Sequence, residues 1–207
     1  MLKEQPVIIA VSSPPGGGKS TLSAMLLEHY PDSSYINYDH YQQITEQSIE
    51  EVAHLLSDAR NYDLLLVPEL IDALQNIKAG RPIVEPLTGR IIAARGIVFF
   101  ETPFGRAHSE MAQFIDYLVW IDVPLDIALA RNFREFLTES FQSSSDLVSF
   151  NEWAKDYLNT YIEHVRPMLI DQKNIISKDA DIVVDGSSTL DAMLSQVIEK
   201  YEGLSCK

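Results

Sequence analysis

The sequence predicts an α/β protein with a mostly parallel five-stranded sheet and helices on both faces. Three observations predict it. Short apolar runs of strand length alternate along the chain with segments of helical period. Apolar residues make up 46% and charged residues 22% of the chain, which are globular proportions. The 207 residues correspond to about 1.4 domains of ~150 residues, and no internal repeat divides them. One domain with an insertion is therefore expected over 1–207.

The elements follow in order. Pro6 to Ser13 reads as a buried first strand. The next helix carries Leu22, Met25 and Leu26 at spacings of three and four. Ser34 to Asp39 is a second strand. Helices are expected at about Ser48 to Arg60 and Glu69 to Lys78, the latter stopped by Gly80 and Pro82. Gly96 to Thr102 and Tyr117 to Val123 are further strands, separated by a short helical run from Ser109 to Asp116. Pro124 opens a helix to about Leu137, where its missing N–H costs no intrahelical bond. Thr138 to Asp146 is polar and serine-rich and reads as a mobile loop. Phe150, Trp153, Tyr157, Tyr161, Val165 and Met168 then mark one long helix whose aromatic face reads as core. Asp181 to Gly186 is the last strand, and a closing helix runs from Leu190 to Tyr201, capped by Ser187 or Ser188.

Composition excludes some functions. With 16 basic against 30 acidic residues the formal charge is −14, which repels polyanion backbones and argues against nucleic acid or an anionic membrane as partner. No apolar run approaches the roughly 18 residues of a membrane helix, and the five-residue run from Val7 is short for a signal-peptide core of about 7 to 15. A single cysteine, Cys206, allows no intramolecular disulfide, so the expected compartment is cytoplasmic. Residues 80–134 hold six of the eight arginines against six acids, a neutral stretch that can receive an anionic small molecule. Scattered surface arginines are the alternative.

The chemistry concentrates at Ser12 to Thr21, SSPPGGGKST, between a strand and a helix. This run ends in Gly-Lys-Ser, as a phosphate-binding loop of the Walker A type does. Gly16, Gly17 and Gly18 let the backbone bend so that amides from Gly16 to Thr21 face one anion, and the helix start adds its positive dipole end. Lys19 then reaches the β- and γ-phosphates, and Ser20 offers a hydroxyl to Mg²⁺. Ser13 stands where the pattern has its first glycine, and Pro14 and Pro15 remove two donors.

Four further groups carry alternatives. Asp39 closes the second strand and faces the same crevice as a proton acceptor, or it caps a turn. Glu101 ends a strand as a Walker B acid does and is preferred for magnesium over its rival Asp122, which ends the next strand. Arg131 and Arg134 lie three apart on one helix, where they clamp transferring phosphates or belong to a solvated, salt-bridged face. His40 and Tyr41, beside Asp39, are weaker signals.

In this order the motifs resemble the uridine kinase-like branch of P-loop kinases, which includes phosphoribulokinase and bacterial pantothenate kinase. The resemblance runs from Pro6 to about Gly186. Asp39 in INYDHYQ is similar to the family's catalytic aspartate. Asn61-Tyr62-Asp63 resembles its Asn-aromatic-Asp signature, which makes Asp63 a substrate-site candidate, with Arg90 and Tyr41 beside it. Ile77 to Pro86 resembles the approach to the substrate loop, IVFFE the strand of the magnesium-associated glutamate, Ile121 to Phe136 the strand and arginine-bearing lid helix, and Tyr161 to Gly186 the segment leading into the last strand. After Pro86 the chain reads Leu87-Thr88-Gly89-Arg90 where uridine kinases carry Tyr-Asp and then His-x-Arg, so the base-reading part is missing. The second lid arginine is displaced by one position, the acid after it is Glu135, and Thr102-Pro103 replaces the glycine after the glutamate.

The resemblance implies a P-loop NTPase fold with a mobile lid at about 131–150. It also implies transfer of the γ-phosphoryl of Mg-ATP to the hydroxyl of a small molecule, nucleoside-like or another alcohol. ATP and Mg²⁺ are the expected cofactors, and Asp39, Lys19, Arg131 and Arg134 the expected catalytic groups. The expected partner is a small hydroxyl substrate, without nucleic acid or membrane; a homo-oligomer is compatible with the chain. A nucleotide-binding sensor or regulatory ATPase without an acceptor is the alternative. A GTP-driven switch is disfavoured because no Asn-Lys-x-Asp run is present.

Overall fold

The computed structural model describes residues 5–41, 62–140 and 147–205. The expected helix at 48–60, Asn61 and Cys206 lie outside them. Chain order is β1 (Val7–Ser12), α1 (Lys19–His29), β2 (Ser34–Asn37), 3₁₀ turns at Tyr38–Tyr41 and Tyr62–Leu64, then α2 (Pro68–Lys78). There follow β3 (Ile83–Val84), β4 (Ile91–Ile92), β5 (Ile97–Glu101), α3 (Ser109–Ala112), β6 (Tyr117–Asp122) and α4 (Leu125–Ser140). The last elements are α5 (Leu147–Thr160), a π turn (Tyr161–Val165), α6 (Arg166–Asp179), β7 (Ile182–Asp185) and α7 (Leu190–Ser205).

Five strands form one sheet in the order β2-β5-β1-β6-β7, with every pairing parallel. This is the parallel five-stranded α/β arrangement that the sequence predicts. Parallel strands need both faces covered, and β1 shows how the sequence meets that need. Its Ile8 and Ala10 enter one cluster with Leu70, Leu74 and Ile77 of α2 and Ile176 of α6. Ile9 and Val11 enter the opposite cluster with Leu22 and Leu26 of α1 and Met193 and Val197 of α7. The chain's path reverses about β1, so the crevice beyond its carboxyl end is where ligands of such sheets bind. The run Gly16 to Thr21 leaves β1 at that end. Among the described residues no helix is long and apolar enough to cross a membrane.

Several expected boundaries move, each for a local reason. β2 ends at Asn37, because Asn37 Oδ1 accepts the Asp39 N–H at 2.9 Å and turns the chain into a 3₁₀ turn. Asp39 therefore follows the strand and does not close it. The run at 109–116 keeps one helical turn; beyond it the Asp116 N–H bonds Ile8 O at 3.0 Å, at the start of β1. α4 continues to Ser140, so Thr138 to Ser140 is helical where a loop was expected. The long aromatic helix takes a π turn at Tyr161–Val165, with helical backbone on either side of it. Met168, at the end of its stripe, packs against the sheet core, while the first half packs elsewhere. Trp153 stacks on Phe133 with ring centroids 5.8 Å apart, and Tyr157 lies 5.7 Å from Phe136, which ties α5 to α4 as a helical pair with its own aromatic seam. α7 is capped by Thr189, whose Oγ1 accepts the Ala192 N–H at 3.3 Å; Ser187 and Ser188 bond Asp185 instead.

Candidate active site

The bend after β1 builds the site. Gly16 adopts φ +74°, and a Cβ there would stand 2.2 Å from the Ala128 carbonyl oxygen of α4, so only glycine lets the bend pass this close under that helix. Gly18 is the N-cap of α1 at φ +95°. The first amides of α1 have no intrahelical partner and are free to receive an anion. Gly17 corrects the expectation that every amide from Gly16 to Thr21 faces the ligand: its N–H donates to Pro14 O at 3.0 Å, closing the turn from behind. Ser13 is buried and supplies a backbone carbonyl, 3.2 Å from Lys19 Nζ. That contact uses no side chain of residue 13, which is how serine serves at a glycine position.

A cleft of about 420 Å³ opens here. Gly16, Gly18, Lys19, Ser20 and Thr21 form one wall, and Arg131, Arg134, Glu135 and Thr138 of α4 the other. Exclusion of water by these walls pushes the Lys19 ammonium below its ordinary value, while the charges of Glu101, Asp39 and Glu135 hold it up. Arg131 Nη1 donates to Gly186 O at 3.1 Å, tying α4 to the turn after β7, and Arg134 is exposed on the cleft wall. The six arginines of 80–134 divide between the two readings, a receiving site and a scattered surface. Arg106 bonds Asp181 Oδ2 at 2.6 Å, Arg81 bonds Asn76 Oδ1 at 2.8 Å, and only Arg131 and Arg134 reach the cleft.

Two carboxylates compete for a metal in the sequence, and they sit differently. Glu101 is 4% exposed at the carboxyl end of β5, in register with Val11 of β1 and Asn37 of β2. Its Oε1 accepts the Ser20 hydroxyl at 2.8 Å, and its Oε2 the Tyr35 hydroxyl at 2.5 Å. Asp122 is engaged by Lys173 at 2.6 Å. Among the described residues no group of three or more His, Cys, Asp or Glu forms a metal cage. A hydroxyl and one carboxylate beside a phosphate cleft fit Mg²⁺, which keeps waters and takes phosphate oxygens.

The expected acceptor-side residues are held by turns. Asp39 keeps solvent contact in its 3₁₀ turn, yet the protein around it desolvates its carboxyl and raises it above the ordinary value; Lys19 and His40 oppose this and Glu101 adds to it. His40 Nδ1 lies 2.8 Å from Glu85 Oε1. Glu85 is 1% exposed and also accepts the Thr88 hydroxyl. Burial pushes its carboxyl up, but the Thr88 and His40 contacts and the charges of His40 and Arg90 hold it below the ordinary value. Asp63 accepts the Ser109 N–H at 2.6 Å at the start of α3, and the Ser109 hydrogen bonds keep it low. Tyr38 and Tyr62, which precede Asp39 and Asp63, both pack on Phe104, with ring centroids 5.2 and 5.4 Å away. Tyr41 is buried and Arg90 is exposed.

Sequence reasoning passed over Tyr35, Glu85 and the β3–β4 hairpin. Tyr35 and Glu85 declare themselves only through register and tertiary contact; the hairpin's two-residue strands are too short for periodicity to mark.

No family model matches the chain. Uridine kinases of Streptococcus pneumoniae, strains Hungary19A-6 and CGSP14 among them, are 23% identical over 205 residues, covering 88% of this chain and 87% of theirs. Among solved structures, a possible uridine kinase from Bacillus stearothermophilus matches 89% of this chain and 91% of its own at 16% identity and a TM-score of 0.47. Shikimate kinase from Aquifex aeolicus matches 96% and 98% at 15% identity and a TM-score of 0.48. The chain is thus similar to uridine kinases over most of its length, in line with its resemblance to uridine kinase-like P-loop kinases.

Proposed function

We propose that this chain is an ATP-dependent small-molecule kinase that passes the γ-phosphoryl of Mg-ATP to the hydroxyl of a nucleoside-like or other small alcohol. The observation that carries the reading is the Ser20–Glu101 hydrogen bond at the mouth of a glycine bend, beneath a helix that turns Arg131 and Arg134 toward the same cleft. Its likeness to kinases along the chain supports it. The reading takes 1–207 as one domain, with about 131–150 as the lid region.

In this reading the amides of Gly16, Gly18 and the first turn of α1, with Lys19, hold the β- and γ-phosphates. Ser20 and Glu101 would hold Mg²⁺, directly or through its waters. The ion supplies charge neutralisation of the phosphates when bound. Asp39 accepts the proton of the acceptor hydroxyl as its oxygen bonds to the γ-phosphorus and the bond to the β,γ-bridging oxygen breaks, releasing ADP. Its raised carboxyl is the better base for this. Arg131 and Arg134 neutralise charge on the transferring group; Asp63, Arg90 and Tyr41 line the acceptor side. Alignment and electrostatics, with no covalent intermediate, carry such transfer.

The test is ADP release with Mg-ATP across a panel of nucleosides, sugars and pantothenate-like alcohols. The expected result is acceleration by one chemical class. The same slow rate with every alcohol overturns the acceptor role and leaves a nucleotide sensor.

A further inference from the structure

We infer that Tyr35 is a positioning residue for the magnesium-associated carboxylate, its phenol fixing Glu101 so that the second carboxylate oxygen is presented to Ser20 and the metal. This rests on the kinase reading above. The sheet register makes the contact possible. Asn37 of β2 pairs with Glu101 of β5 and Tyr35 pairs with Phe99, so Tyr35 is the diagonal neighbour of Glu101 on the same face. A long side chain on an edge strand spans that diagonal, and the phenol arrives at 2.5 Å from Oε2.

The consequence is a carboxylate held at both oxygens. Ser20 takes Oε1 at 2.8 Å and Tyr35 takes Oε2, and the group is 4% exposed, so rotation about the last side-chain bond breaks both contacts. The two donors differ in kind. Ser20 sits on the cleft wall, where its hydroxyl can turn to a ligand, and this frees Oε1. Tyr35 is packed with the α1 and α7 cluster and stays, so Oε1 meets the cation already oriented. An apolar residue at 35 leaves a buried carboxylate oxygen without its donor and the orientation to chance. Partners of this kind are typically worth about 10- to 100-fold in metal affinity.

The test titrates Mg²⁺ at fixed ATP on the full chain, with binding heat and thermal shift as readouts, for wild type, Tyr35→Phe, Glu101→Gln and the double variant. Phenylalanine keeps the ring, so the fold is retained. The expected result for Tyr35→Phe is a Mg²⁺ midpoint about tenfold higher, with ATP affinity in the absence of metal unchanged and kcat restored at saturating Mg²⁺. The double variant is expected to match Glu101→Gln, because both changes act through one carboxylate. A Tyr35→Phe midpoint equal to wild type, whatever its Tm, overturns the inference, as do additive effects in the double variant. Wild type that shows no magnesium-dependent ATP binding overturns the kinase reading itself and this inference with it.

Discussion

The two ends of the crevice are made of different material. The end proposed to hold phosphate stands on the carboxyl ends of adjacent strands: the glycine bend follows β1, and Glu101 closes β5, which pairs with β1 residue for residue. The end proposed to hold the acceptor stands on 3₁₀ turns and a hairpin of two-residue strands. There, side-chain bonds such as His40–Glu85 and Asp63–Ser109 do the holding. Backbone amides on a buried sheet suit a ligand part common to all substrates, a polyphosphate. Side chains on turns suit the part that varies. Departures occur at both ends, but at the first the Gly-Lys-Ser run is kept, whereas after Pro86 the chain reads Leu87-Thr88-Gly89-Arg90 in place of the base-reading part.

Substitutions at the two ends should therefore break different things. The largest effect is expected from Asp39→Asn, which slows transfer by about 10²- to 10⁴-fold and leaves ATP binding intact. Stopped-time ADP release with calorimetry on the same sample checks both halves. Equal rates in variant and wild type remove Asp39 from the chemistry. The acid limb of the wild-type kcat/KM profile is expected above the ordinary aspartate value of 3.8, because desolvation raises this carboxyl. Its stability contribution carries the matching sign: it is complete below 3.8 and is lost as pH rises through the raised folded value. Asp39→Asn is accordingly expected to be no less stable than wild type at neutral pH, a carboxylate kept for function at some cost to the fold.

Two glycines give the next contrast. Gly16→Ala puts a methyl group 2.2 Å from the Ala128 carbonyl oxygen at positive φ, so the bend or α4 must move; nucleotide affinity and Tm are both expected to fall, with strain of about 1–3 kcal/mol. Gly89 has φ +68° but open space around it, so Gly89→Ala is expected to cost only about 1–2 kcal/mol of conformational strain and to spare nucleotide binding. Urea unfolding and ATP calorimetry separate the two. Loss of affinity in both would dissolve the distinction between the ends.

Smaller and opposite in pH sign is Glu85→Gln. Glu85 is held below its ordinary value of 4.5, so its stabilisation is present above that pH and disappears as pH falls through the lower folded value. The variant is expected to lose about 1–3 kcal/mol near neutrality, and the gap from wild type should close in acid. A gap that widens in acid contradicts the His40–Glu85 contact as the support of the Asp39 turn.

What the sequence disclosed follows the same line. The five strands and the glycine bend were legible because they are local: apolar runs long enough for buried strands, and Gly-Lys-Ser between a strand and a helix. Asp39 was legible as a residue, with a turn as one of its two readings, but the end of β2 was not, since Asn37 ends the strand with a side-chain bond that propensity does not weigh. Tyr35 was invisible because its meaning lies in which residue of β5 stands beside it. The aromatic stripe of α5 was recognised as packed, but not against what; its partners Phe133 and Phe136 lie one helix back.

In the proposed function the bend from Gly16 to Thr21, with Lys19, holds a nucleotide's phosphates. Titration calorimetry of Mg-ATP into the folded full chain and into Lys19→Ala tests it most directly. A charge pair at ~4 Å and an effective dielectric of ~20 is worth about 4 kcal/mol before desolvation, so saturable binding to wild type and affinity at least about 100-fold weaker in the variant are expected. No heat with wild type, or equal affinity in both proteins, would contradict the account.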